Sequence, residues 1–196
     1  MSQTNALTRS DLWSLEDYSN KRAEYRTQVM QHKKNRKVSL GPNATLYFED
    51  KLTIQYQIQE MLRIEKIFEA DGISEELETY NPLIPNGSNW KATFMIEYAD
   101  PEIRAVQLAK MKGIEELVWV QVEGFDKAWC ISNEDLERSN DTKTSSVHFM
   151  RFELTPEMIE AAKNGTVISM GVEHSAYNHK IAVNQSTADS LVNDLD

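Results

Sequence analysis

KTSSVHFMRFEL, residues 143–154, alternates so strictly that it reads as a β-strand with two unlike faces. Val147, Phe149, Arg151 and Glu153 fall on one side, and His148, Met150, Phe152 and Leu154 on the other. An imidazole therefore heads the more apolar row. A second stretch, VISMGVEH (167–174), repeats the arrangement, with Ile168, Met170, Val172 and His174 sharing a face. Antiparallel pairing of the two strands would bring His148 close to His174. Parallel pairing would hold them some 20 Å apart, at about 3.3 Å per residue. The helical connection between them permits either, so strand order is the pivot.

His179 follows the turn SAYN and is expected across a hairpin from His174, on the same side. Three imidazoles at one sheet end, His148, His174 and His179, would suit iron or another divalent transition metal if Glu49, Glu97 or Glu65 completed the site. Glu173 points to the opposite face. The competing reading is that each histidine caps its apolar row, hydrogen-bonded to a tyrosine or a carbonyl. HExxH, CxxC, G-x-S-x-G, P-loop and GxGxxG motifs are all absent, which removes the common routes to hydrolase and nucleotide-binding chemistry. Arg151 reads either as a surface ion-pair partner of Glu153 or as an anion site.

Upstream, WKATFMIEY (90–98) also alternates, Asp100-Pro101 opens a helix to about Met111, and LVWVQV (117–122) and KAWCIS (127–132) sit at hairpin spacing across EGFD. Thr155-Pro156 begins another helix, closed by Asn164-Gly165. The first eighty residues follow a helical period instead. Leu12, Leu15, Tyr18, Tyr25 and Val29 mark a helix over 11–36 with Ser10 as a candidate cap. Ile54, Ile58, Met61, Leu62 and Phe68 mark a second helix over 52–69. NPLIPNGSN, rich in Pro, Gly and Asn, separates the two regimes.

The expected fold is α+β: a helical N-terminal half packed on a mostly antiparallel sheet of about five strands, with two further helices. Residues 1–10 are expected to be flexible, 11–183 to form a single domain (helical front 11–80, sheet-rich back 90–183), and the polar, acidic 184–196 to be a disordered tail.

Arg22 and Glu65 interrupt the apolar stripes of the two front helices. A lone buried charge is costly, so each needs a partner. One reading pairs them with each other. The other makes a polar pocket between the helices, with Glu65 as ligand or proton acceptor near Tyr56, Gln59 and Glu60. Glu60 and Arg63 stand three apart, as an exposed helix-face pair would.

With 31 acidic and 21 basic residues and a formal charge of -10, the chain is poorly suited to nucleic acid, and the basic run Lys33, Lys34, Arg36, Lys37 reads as a helix end. Cys130, the single cysteine, cannot form an internal disulfide, and AWCIS marks it as a strand residue rather than a nucleophile. MSQTNALTRSDLW lacks an apolar signal core, and no window approaches the roughly 18 apolar residues of a membrane span. A cytoplasmic protein is expected.

Four of these stretches resemble a bacterial family of unknown function whose genes often lie beside rubrerythrin and a heterodisulfide-reductase-like iron-sulfur protein: YQIQEMLRIEKIFE (56–69), ELETYNPLIPNGSNWKATFMIEY (76–98), KTSSVHFMRFEL (143–154) and GVEHSAY (171–177). The resemblance covers most of residues 10–183. It places Tyr56, Gln57, Gln59, Glu60, Arg63, Glu65, Tyr80, Asn81, His148, Arg151, His174 and Tyr177 in motif positions and leaves His179 outside them. It implies a cytosolic accessory protein of a rubrerythrin-linked redox or iron/peroxide stress system, binding rubrerythrin, an iron-sulfur reductase or an iron species. The alternative is a metal-dependent enzyme using His148 and His174.

Overall fold

The computed structural model describes residues 6–196. The fold is α+β, with helices and antiparallel strands as expected, the strands forming two sheets rather than one. The first, in the order β1 (Lys37–Ser39), β2 (Ala44–Phe48), β3 (Asn89–Ile96), β7 (Val147–Glu153), β6 (Ile131–Ser132), contains the opening strand. The second runs β5 (Ala128–Trp129), β4 (Val118–Val122), β8 (Ile168–His174), β9 (Tyr177–Ala182). Neither parallel nor antiparallel pairing of β7 with β8 is realised, because they belong to different sheets. KAWCIS divides at Cys130: its first half pairs with β4 and its second with β7.

The alternating patterns explain the packing. Phe48, Phe94, Met150 and Phe152 from the first sheet join Val118, Val120, Met170 and Val172 from the second in one apolar cluster. The even face of β7, headed by His148, is therefore the inner face. Helices α4 (Pro101–Lys110) and α5 (Pro156–Lys163) start where their Asp100 and Thr155 caps and N1 prolines predict, and Leu108 and Met158 seal the same core.

Residues 184–196, expected to fray, instead form helix α6 (Gln185–Val192), capped by the Asn184 side chain. Leu191 and Leu195 are buried, the Trp90 indole N–H donates to the Leu191 carbonyl at 2.8 Å, and the Asp196 N–H donates to the Gly87 carbonyl. At the other end, residues 1–5 lie outside the described residues. Of the rest of the predicted flexible segment, Leu7 is buried and its backbone exchanges two hydrogen bonds with the Asn81 carboxamide.

The front layer holds α1 (Leu15–Lys33), α2 (Lys51–Glu65) and α3 (Ala70–Tyr80), with the β1–β2 hairpin inserted between the first two. Ser14, not Ser10, caps α1, accepting from the Asp17 N–H. Helix α2 ends earlier than its apolar spacing suggests: Lys66 turns left-handed (φ 56°), leaving Phe68 exposed rather than in the core. Tyr18, Tyr25, Val29 and Tyr56 make one small cluster in this layer, and Ile54, Ile58, Leu62, Ile73 and Ile84 another. No helix among the described residues is long and apolar enough to cross a membrane.

Candidate functional site

Strand β7 is apolar on its outer face too, where Val147 and Phe149 are only half-buried. Beside them on β3 and β2 stand Thr93, Met95 and Tyr47. The front helices cover this face incompletely, leaving a cavity of about 550 Å³ lined by Met30 and Lys33 of α1, Ile54 and Gln57 of α2, Tyr80 and Leu83 beyond it, and the five sheet residues. That volume lies within the roughly 300–1,000 Å³ typical of small-molecule sites.

One carboxylate is fixed in this largely apolar wall. Glu49 accepts the Thr53 hydroxyl at 2.6 Å on one oxygen and the Thr93 hydroxyl at 2.9 Å on the other. Thr53 occupies the third position of α2, where its hydroxyl also accepts the Asp50 N–H while Asp50 accepts the Thr53 N–H, a reciprocal cap that immobilises the start of the helix. Behind Glu49, the buried Arg36 guanidinium holds the Phe48 and Glu49 carbonyls.

The two front-helix charges do find partners, but Arg22 pairs with Glu60 rather than Glu65. Its guanidinium makes a bidentate contact at 2.7 and 2.9 Å, and the Tyr18 hydroxyl donates to the same carboxylate at 2.7 Å. Glu65 is exposed in the last turn of α2, and Arg63 reaches Glu60 at 3.4 Å. The Arg22 hydrogen bonds, with those of Tyr18 and Arg63, outweigh burial and hold the Glu60 carboxyl at about 2, below its ordinary 4.5. A depressed acid stabilises the fold above its unfolded value and loses that contribution as pH falls towards the folded one. The unfolding midpoint is thus expected to drop as pH falls from about 4.5 to about 2. Glu60→Gln, assayed by urea denaturation across that window, should flatten this part of the slope.

Gln59, fully buried, accepts the Trp13 N–H at 2.7 Å and donates to the Trp13 carbonyl, docking the chain that enters α1. Tyr56 packs 6.0 Å from Tyr25, beneath the Lys33 ammonium. Arg151 is occupied by Glu134 and Glu153. The polar stripe of the front helices is therefore mostly spent within the layer.

The three imidazoles do not share a site. His148, fully buried, lies 2.9 Å from the Thr144 hydroxyl, 3.1 Å from the Ser145 carbonyl and 3.1 Å from the Asn133 carboxamide. Burial lowers its proton affinity against the pull of Glu115, 4.0 Å away. Burial would raise Glu115, but hydrogen bonds from Ser139 and Thr144 prevail and keep it low. His174 donates Nε2–H to the Lys112 carbonyl and accepts the Ala176 N–H at Nδ1, closing its turn. Tyr177, not His179, faces His174 across the hairpin; His179 faces Val172.

Tyr177 and His179 act together elsewhere. The Tyr177 hydroxyl donates to the Leu40 carbonyl at 2.6 Å and accepts the Asn43 N–H, clasping the β1–β2 turn to the second sheet. The His179 ring lies against Gly41, whose left-handed φ of 75° suits glycine and where a Cβ would sit 2.5 Å from the ring. Among the described residues, no group of three or more His, Cys, Asp or Glu side chains is placed to hold a metal ion. Cys130 donates to the Glu115 carbonyl, and burial pushes its thiol up to about 12, which removes it as a nucleophile near neutral pH. Glu97, a second carboxylate considered for a metal, accepts the Thr45 and Tyr47 hydroxyls.

Comparison with known proteins agrees with the fold. A family model described as a protein of unknown function, DUF3501, matches residues 6–195. The chain belongs to the DUF3501 family. A crystal structure of a novel protein of unknown function from Burkholderia pseudomallei K96243, at 1.90 Å resolution, is 46% identical and superposes with a TM-score of 0.93 over 97% of this chain and 100% of that one. No curated protein matches. The family match extends to Leu195, so α6 lies inside the DUF3501 unit.

The cavity-lining residues that the sequence reading passed over, Met30, Lys33, Tyr47, Thr93, Met95, Val147 and Phe149, did carry a signal. Val147 and Phe149 are apolar on the face opposite the core row, and a strand apolar on both faces is covered on both.

Proposed function

We propose that this DUF3501 protein is a non-catalytic binding protein that takes a small, mostly apolar molecule between its front helices and its first sheet. The observation that carries the reading is the Thr53- and Thr93-anchored Glu49 carboxylate in the wall of the 550 Å³ cavity. A few oriented polar groups in an apolar recess give a ligand its orientation, while the apolar walls supply affinity. His148 and His174 are both engaged by protein groups, which favours binding over metal-dependent catalysis.

The proposal includes the cytoplasmic accessory role, beside a rubrerythrin-linked redox or iron/peroxide system, that the family resemblance implies. Co-purification with rubrerythrin or the iron-sulfur reductase at micromolar concentration checks that part.

For the cavity itself, Nile red, a neutral solvatochromic dye, is expected to show saturable fluorescence enhancement with the wild-type protein. Met95→Trp, which fills the recess from β3, is expected to abolish it while leaving the circular dichroism unchanged. No saturable signal, or one indifferent to the tryptophan, would overturn the reading.

A further inference from the structure

We infer that the cavity selects a cationic amphiphile, a small amine whose ammonium group docks on Glu49 and whose hydrocarbon or aromatic body lies against Met30, Leu83, Met95 and Phe149. The inference rests on the cavity being a ligand site and adds the chemical class.

The first observation is an imbalance of charge around one group. Both hydrogen bonds to Glu49 come from neutral hydroxyls, one per oxygen. A carboxylate offers about four acceptor positions, so roughly two remain open. Among the described residues no Lys, Arg or His nitrogen lies within ion-pair distance of it. The two cationic side chains in the same wall are directed elsewhere. Arg36 is shared between Asp194 at 2.6 Å and Asp50 at 3.3 Å, so its charge is already matched, and the Lys33 ammonium stands 5.7 Å over the Tyr56 ring. The carboxylate is held in place before any ligand arrives and lacks a positive partner of its own.

A second observation concerns the neighbours. Gln57 stands one helical turn beyond Thr53, on the same face of α2, and Tyr80 enters the cavity from the end of α3. Among the described residues neither the Gln57 carboxamide nor the Tyr80 hydroxyl makes a hydrogen bond, so both have acceptor capacity for the remaining N–H groups of an ammonium. The rest of the lining is aliphatic, thioether or aromatic. Such walls weaken screening and strengthen a charge-assisted hydrogen bond relative to one made in water.

Calorimetric titration with three matched probes tests this. Phenylbutylamine, phenylbutanol and phenylbutyrate share a hydrocarbon body and differ in the head group. The amine is expected to bind about ten- to hundredfold more tightly than the alcohol, the range for a hydrogen bond to a charged group. Glu49→Gln should reduce the amine to the alcohol's affinity and leave the alcohol unchanged. Equal binding of amine and alcohol would overturn the charge assignment while leaving the cavity reading intact, and tightest binding by the butyrate would overturn it in favour of Lys33. Should no probe bind while Nile red still does, the amine class falls alone; should Nile red also fail, both readings fall.

Discussion

Arg36→Ala is expected to cost the fold about 3–5 kcal/mol, the range for breaking a buried ion pair by removing one partner. Arg36 is 2% exposed, and its guanidinium serves chain segments remote in sequence: the Phe48 and Glu49 carbonyls at 3.1 and 3.0 Å, the Ser190 carbonyl at 3.2 Å and the Asp194 carboxylate at 2.6 Å. Alanine leaves the Asp194 carboxylate buried without its cation, and the carbonyls without donors. A denaturant midpoint lowered at unchanged slope should register the loss, and amide exchange in residues 185–196 should accelerate, because the Arg36 contacts pin α6. Arg36→Lys should recover only part, since a single ammonium cannot span acceptors that a planar fork reaches together. A change below about 1 kcal/mol would mean that the guanidinium is dispensable to the latch. The same substitution should weaken ligand binding, because the Arg36 contacts fix the backbone that carries Glu49.

That latch also shows where the sequence was silent. Arg36 falls in a basic run that reads as a solvated helix end, and nothing local marks it as the one member turned inward; the closer in space of its two acidic partners, Asp194, lies 158 residues away along the chain. Helix α6 was better advertised. Asn184 is a good cap and Ala188, Leu191, Val192 and Leu195 recur at helical spacing, yet the acidic, polar composition masked the stripe. Much local chemistry was legible: the Asp100 and Thr155 caps, the EGFD hairpin and the two faces of β7 stand as the residues dictate, whereas the α1 cap fell at Ser14 and the His174 hairpin closed one pair tighter, on Tyr177. Sheet membership was not, because alternation assigns faces and leaves partners open. A strand that splits between two sheets at Cys130 keeps one uninterrupted pattern.

The pairing of Arg22 with Glu60 in place of Glu65 has a similar cause. Both glutamates lie on one helix, but five residues put them about 140° apart around its axis, and which of those faces meets α1 is set by how the helices pack. The cavity is not legible locally, because its walls come from α1, α2, β2, β3 and β7 and no one segment contains it. Glu49 was legible as a carboxylate near the sheet, but its anchors are separated from it by 4 and 44 positions, and only the second of these requires the folded sheet.

His148→Ala is the other large effect expected, about 3–4 kcal/mol, combining a buried hole with polar groups left unpaired. The ring is completely enclosed, and the Thr144 hydroxyl beside it donates to Glu115 at 2.8 Å, so the truncation removes one wall of a buried polar network as well as a core side chain. His174→Ala should cost less, about 1–2 kcal/mol, because that ring, though buried, contacts only two backbone groups at a turn and belongs to no carboxylate network. The pH dependence separates a burial effect from mere lost volume. Burial lowers the folded-state proton affinity of His148, so the unfolded chain takes up a proton first as pH falls below about 6.5. Stability carried by the neutral ring is therefore complete above that value and declines beneath it until the folded-state value is passed. His148→Ala should abolish that decline while lowering stability at every pH, and midpoints recorded between neutral and mildly acidic pH distinguish the two behaviours. If the wild-type and alanine curves ran parallel through the window, the imidazole would have no part in the titration, and its place at the head of the inner row would be a matter of shape alone.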